Sequence, residues 1–209
     1  MAGCDGASSR AVTSEATRAA PRGTLPPPTL SASEAPMIVI YEDRWASRIL
    51  PPGTPRQQLE AAVWHDGRMV WHADGSLRTG QIEVKKIDVL LQRLHRDGAF
   101  DNGKVSESNY GLDSGFDVIR VRLADRELHF QSWHDRFEQN PGLVVSSRGV
   151  ESLDGRTRES VLSSDKPEYL RFRHTWADVR STVRSWIPAE GAAFEGSDFA
   201  GVVGEPVGA

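Results

Sequence analysis

Tyr169, Phe172, Trp176, Val179, Val183 and Trp186 recur at alternating spacings of three and four residues near the end of the chain. That period predicts one long helix with a wide aromatic face. Asp165 is placed to cap it, Pro167 suits its first turn, and Pro188 stops it. A face this broad cannot be left in water, so the rest of the domain has to supply an apolar layer to cover it.

The preceding sequence supplies strands. Met37-Ile38-Val39-Ile40-Tyr41 is an apolar run of strand type, and Pro51-Pro52-Gly53-Thr54-Pro55 then breaks the chain into a loop. Ala61 to Trp71 contains Asp66-Gly67, a strong hairpin signal. With those two residues as the turn, Trp64 pairs with Met69 and Ala62 with Trp71, and all four share one core face. Glu83 to Arg96 is an amphipathic helix, with Val84, Ile87, Leu91 and Leu94 on one stripe and Leu90 beside it. Asp97-Gly98 ends it, the glycine suiting a left-handed position.

Phe116 to Phe130 reads as a second hairpin around Ala124-Asp125. Val121 then opposes Leu128 and Ile119 opposes Phe130 on the inner face, while Arg122 opposes Glu127 on the outer face. Trp133 to Glu138 fits a short helix, and Leu143-Val144-Val145 fits either a short strand or a buried loop. The expected fold class is α+β: an antiparallel sheet of two hairpins and an N-terminal strand, packed on one face by two amphipathic helices.

The ends differ from this domain. Residues 5–36 are rich in Ala, Ser, Thr and Pro, have no aromatic residue, and include Pro26-Pro27-Pro28. They cannot bury enough apolar surface to offset the entropy of ordering, so residues 1–36 read as a disordered tether. The single domain spans 37–187. Residues 188–209 carry Glu190, Glu195, Asp198 and Glu205 without a base and read as an acidic disordered tail. The whole net charge of -4 therefore belongs to that tail, and the balanced domain lacks the basic footprint of nucleic-acid binding. No apolar run reaches transmembrane length. One cysteine excludes an internal disulfide.

That cysteine stands in Met1-Ala2-Gly3-Cys4, followed by Asp5-Gly6 and the tether. The segment resembles the maturation site of bacterial lipoproteins, Leu-Ala-Gly-Cys, with Met1 in place of the leucine. The resemblance implies lipid attachment at Cys4 and a cell-envelope location, periplasmic or extracytoplasmic, with membrane contact only through that anchor. A signal peptide has a basic segment and an apolar run of about 7–15 residues, and neither precedes Cys4. In-frame translation upstream of Met1 is expected to supply them; without them the location is cytoplasmic. As flexible coil, a tether of this length would span roughly 30 Å. The hairpin–helix–hairpin unit over residues 60–132 is similar to small uncharacterised domains of bacterial secreted and lipoprotein chains, which brings no known activity.

Candidate chemistry is sparse. Ser132-Trp133-His134-Asp135 follows a strand end, where side chains project from a rigid element. His134 and Asp135 could form an acid–base pair, with Tyr110 and Asp113 facing them from the Gly-rich loop before the same hairpin. The competing expectation is that Trp133 packs under the sheet while Asp135 opens a short helix. His72, His95, His129 and His174 are assigned to polar faces, and His65 to a turn. Trp45, beside Arg44 and before a proline loop, is a candidate exposed aromatic for a partner or glycan, and Trp133 and Asp113 are further binding candidates. No nucleophile elbow, zinc-protease helix, phosphate-binding loop or dinucleotide fingerprint occurs, so neither a cofactor nor a metal is expected. The functional expectation is a non-catalytic binding or structural module with a protein or small-molecule partner, lipid-anchored at the envelope. The alternatives are an intracellular interaction domain, and a hydrolase-like enzyme using His134, Asp135 and Tyr110.

Overall fold

The computed structural model describes residues 35–44, 56–100 and 115–194. Strand β1 (Ile38–Asp43) lies at the centre of an antiparallel sheet, between β2 (Gln57–Val63) and β5 (Phe116–Arg122). Its apolar run Ile38–Tyr41 suits a strand covered on both faces. Beyond β2 lie β3 (Arg68–Ala73), β4 (Ser76–Gln81) and the short β9 (Ala192–Ala193); beyond β5 lies β6 (Glu127–Ser132). The order is β6-β5-β1-β2-β3-β4-β9.

Helices α1 (Val84–Arg96) and α4 (Pro167–Trp186) cover one face, giving the α+β fold. All six residues of the aromatic stripe are buried. They meet Ile38 and Ile40 of β1, Ile119 and Val121 of β5, Leu128 and Phe130 of β6, and Ile87, Leu90, Leu91 and Leu94 of α1 in one core. Phe130 and Phe172 pack edge to face at 5.0 Å. Gly98 at φ 72 closes α1: its N–H donates to the His95 carbonyl, and that of Ala99 donates to Leu94 at 2.9 Å. That pair of bonds satisfies carbonyls a helix end would otherwise leave open.

The β5–β6 hairpin has the expected register, with Val121 opposite Leu128, Ile119 opposite Phe130 and Arg122 opposite Glu127. The first hairpin does not. Its loop is three residues long, Trp64 bonding across it to Arg68 with Gly67 at φ 86. This is the hairpin form in which glycine takes the left-handed position. Ala61 therefore faces Trp71 and Val63 faces Met69, one residue away from the expected pairing. A slip of one residue exchanges the faces of a strand. Trp71 and Met69 stay in the helix-side core, while Trp64 joins Val39, Tyr41, Leu59, Ala62, Val70 and Val118 on the opposite side. Those side chains are buried too, so the sheet carries apolar layers on both faces.

Strand β4 was not expected. Asp74 (φ 50) and Gly75 (φ 77) form a two-residue turn between paired Ala73 and Ser76, and both positive φ values fit the tight hairpin type. The Asp-Gly dipeptide there carried the same signal as Asp66-Gly67. Pairing also runs past the expected limit at 187, because β9 lies against β4 and Phe194 donates to the Leu77 carbonyl at 3.0 Å.

A smaller unit sits against the N-terminal half of α4. It comprises α2 (His134–Phe137), the hairpin of β7 (Leu143–Ser146) and β8 (Gly149–Ser152), and α3 (Arg158–Leu162). Leu143-Val144-Val145 is thus a strand. Asp165 does not cap α4: Lys166 is the cap residue, and Asp165 instead accepts from the backbone N–H of Ser147 at 2.9 Å. That bond ties the β7–β8 turn to the start of the long helix.

Candidate functional site

The residues around α2 gather where β1, β2, β5 and α4 meet. Alternation along β5 puts Asp117 on the helix side with Ile119 and Val121, and alternation along β1 does the same for Glu42. Glu60 reaches that side by another route. The register between β1 and β2 shifts after Ile40, which pairs with Ala61, whereas Tyr41 pairs with Leu59. Glu60 is the extra residue of this bulge. Its side chain meets α4, while Leu59 keeps to the opposite face. Re-aiming one side chain is what a bulge does to a strand.

Arg180 stands at the centre of the group. Its Nε and Nη2 donate to Glu60 Oε2 at 3.1 and 2.7 Å, and its Nη1 donates to Asp117 Oδ2 at 2.9 Å and also to Asp135 Oδ2. Arg184 donates to Glu60 as well. Arg136 pairs with Glu42 and lies 3.8 Å from Asp117, and Arg44 donates to Glu42 at 2.8 Å. Four carboxylates (Glu42, Glu60, Asp117, Asp135) thus face four guanidiniums (Arg44, Arg136, Arg180, Arg184). The cluster is charge-balanced.

His134 and Asp135 are together, as the sequence suggested, with His134 Nε2 3.3 Å from Asp135 Oδ1. Ser132 completes a chain: its Oγ bonds His134 Nδ1 and accepts the His134 backbone N–H at 3.1 Å. Serine, histidine and aspartate in sequence resemble a nucleophilic relay, but the surroundings do not fit one. Ser132 is 2 % exposed and His134 3 %. The imidazole packs edge-on against Trp176 at 5.1 Å and Phe172 at 5.9 Å. Burial drives its pKa down to about 4 against the opposing pull of Asp135, so it is neutral at pH 7. A base must reach the proton it removes, and here both hydroxyl and ring are enclosed.

Asp135 is more open, but its oxygens are occupied. Oδ2 accepts from Trp176 Nε1 at 2.8 Å and from Arg180. Burial pushes the carboxyl up; His134, the indole and Arg180 outweigh that and hold it below the ordinary range. Asp117 goes the other way: burial raises it beyond what Arg180 and Arg136 restore. An open cleft of about 760 Å³ runs along α4 beside this group, lined by His134, Asp135, Arg173, Arg180 and Arg184 among others. Its guanidiniums already have carboxylate partners, Arg173 bonding Glu138 at 2.7 and 2.8 Å.

Trp133 is buried with its ring edge-on to Phe116 at 6.1 Å, inside the protein rather than on a ligand surface. Tyr110, Asp113, Trp45 and Cys4 lie outside the described residues. Sequence reasoning missed Arg180, Glu60, Asp117, Arg136 and Glu42. Arg180 stands one turn after Trp176, on the flank of the aromatic stripe, which is a weak signal; the bulge that aims Glu60 has none. Among the described residues no group of three or more His, Cys, Asp or Glu could hold a metal ion, and no helix is long and apolar enough to cross a membrane. No protein-family model, curated protein or solved structure matches the chain.

Proposed function

We propose that this chain is a non-catalytic binding or structural module, held at a bacterial cell envelope by a lipid on Cys4. The observation that carries the non-catalytic part is the enclosure of Ser132 and His134 within a charge-balanced cluster. Ser132, His134 and Asp135 are each bonded to a structural partner. The cluster clasps α4 and α2 to the sheet. The anchoring part rests on Met1-Ala2-Gly3-Cys4 and on the neutral, aromatic-free segment behind it.

The test expresses the gene with its upstream in-frame sequence in a bacterial host fed an alkyne-tagged fatty acid. The expected result is a label that detergent extraction leaves on the protein and that Cys4→Ser abolishes. An unlabelled protein in the soluble fraction would sink the anchor and favour an intracellular interaction domain. Esterase and amidase activity on generic chromogenic substrates, lost in Asp135→Asn while the fold is retained, would overturn the non-catalytic reading.

A further inference from the structure

A second concavity lies between α1 and α4, away from the clasp. Leu90 and Trp186 contribute buried side chains to it, and Val89 stands at its rim 52 % exposed, the most exposed of the large hydrophobic residues among those described. One wall is fixed, because Arg93 donates to Asp178 at 2.7 Å and to Thr182 at 2.9 Å. Lys85 and Lys86 edge the groove and are exposed, and their ammonium groups make no hydrogen bond or ion pair among the described residues. Glu83 is the one carboxylate at this rim. Taking Arg93 with Asp178, the groove keeps a net positive charge.

The lysines are also placed against the helix's own field. The first turn of a helix favours carboxylates, and α3 and α4 carry Glu159 and Glu168 there. The first turn of α1 has no acid, and its cap residue Glu83 makes no side-chain cap bond. Two ammonium groups beside the positive end of a 13-residue helix form a local conflict, which the single Glu83 carboxylate at the cap position offsets only in part. An acidic partner would relieve it.

We propose that this groove docks an acidic peptide segment carrying one apolar anchor. Its carboxylates meet Lys85 and Lys86, and its apolar side chain lies over Val89 and the exposed edge of Trp186. A volume of about 370 Å³ admits one large side chain and its flanks, at the small end of ligand pockets. The concave shape between two helices favours an inserted side chain over a flat lipid surface. The proposal rests on the binding-module reading, but the two fail separately: fatty-acid labelling at Cys4 does not depend on this groove.

The probe is a fluorescein-labelled Glu-Glu-Leu-Glu-Glu peptide, titrated by anisotropy at low salt with the purified full chain. Binding is expected to weaken about tenfold or more in Lys85→Glu/Lys86→Glu, consistent with the loss of two exposed charge pairs and their reversal. Lys85→Gln/Lys86→Gln should weaken it less, Val89→Asp should abolish it, and replacing the peptide's Glu by Gln or its Leu by Ser should do the same. Arg171→Glu, at the far end of α4, controls for overall charge and should bind as wild type. Absence of binding to the wild type overturns the proposal. So does equal weakening by Arg171→Glu, indifference to the lysine changes, or binding to phosphatidylglycerol vesicles in place of the peptide.

Discussion

Arg180 does at the scale of one residue what no other described side chain does: it bonds carboxylates from β2, β5 and α2 at once. Removing one partner of a buried cluster leaves the others uncompensated. Arg180→Met should therefore cost about 3 kcal/mol, toward the low end for such a break because Asp135 remains partly wetted. In a domain of this size that lowers Tm by roughly 6–12 °C, and adding Asp117→Asn should recover part of it. A change under about 1 °C would show that the cluster does not hold the fold. His134 gives a pH test. The unfolded chain protonates this histidine near pH 6.5, whereas the folded one resists until about 4. Between those values the unfolded state takes up the proton, so stability is complete above about 6.5 and falls as pH drops, by about 3 kcal/mol in all. Asp117, raised by burial, works in the opposite sense. Urea midpoints measured from pH 4 to 7 for wild type and His134→Gln isolate the histidine: the Gln variant should lack this slope. The adjacency of His134 and Asp135 was legible in the sequence. Their enclosure was not, because it comes from Phe172 and Trp176, almost forty residues and more further along.

Turns decide more than strands do among the elements. Both Asp-Gly hairpins place glycine at positive φ, yet their surroundings differ. A Cβ at Gly67 would lie 2.3 Å from the Ile82 carbonyl oxygen, whereas one at Gly75 meets nothing within 4 Å. Gly67→Ala should cost about 3 kcal/mol, strain and clash together, and Gly75→Ala about 1 kcal/mol from backbone strain alone. Thermal melts of the two variants side by side check this, and equal shifts would contradict the geometry. The β5–β6 register was readable because its inner apolar pairs and its outer Arg122–Glu127 pair agree on a single alignment. The β2–β3 register was not: Asp66-Gly67 fits a two-residue loop and a three-residue loop alike, and apolar residues on both faces remove the alternation that would choose between them. Leu59, Ala62, Trp64 and Val70 belong to one layer and Ala61, Val63, Met69 and Trp71 to the other.

The whole molecule divides into a sheet with two long helices and a smaller unit attached to α4. The attachment is local and mostly polar, with Leu162 and the His134 ring as its contacts to the apolar core. Tyr169 donates from its hydroxyl to the Val145 carbonyl at 2.9 Å, Arg173 donates to the same carbonyl and to Glu138, and Glu138 accepts the Val145 N–H. Small units with few buried apolar contacts open below the global unfolding free energy. Amide exchange should therefore be slowest in β1, β5 and the middle of α4, and faster in β7, β8 and α3. Arg173→Met should speed exchange in β7 and β8 without a matching change in β1; uniform acceleration would mean that the two parts unfold as one. The sequence by itself determined the α+β class, the long aromatic helix, α1 with its glycine stop and the second hairpin, because each is written in local periodicity and turn chemistry. Only the tertiary structure decided that Trp64 and Trp71 lie on opposite faces, that a bulge turns Glu60 toward Arg180, and that His134 is enclosed. Each of these depends on which distant strand or helix covers a residue, and burial and charge pairing across such distances leave no period in the sequence.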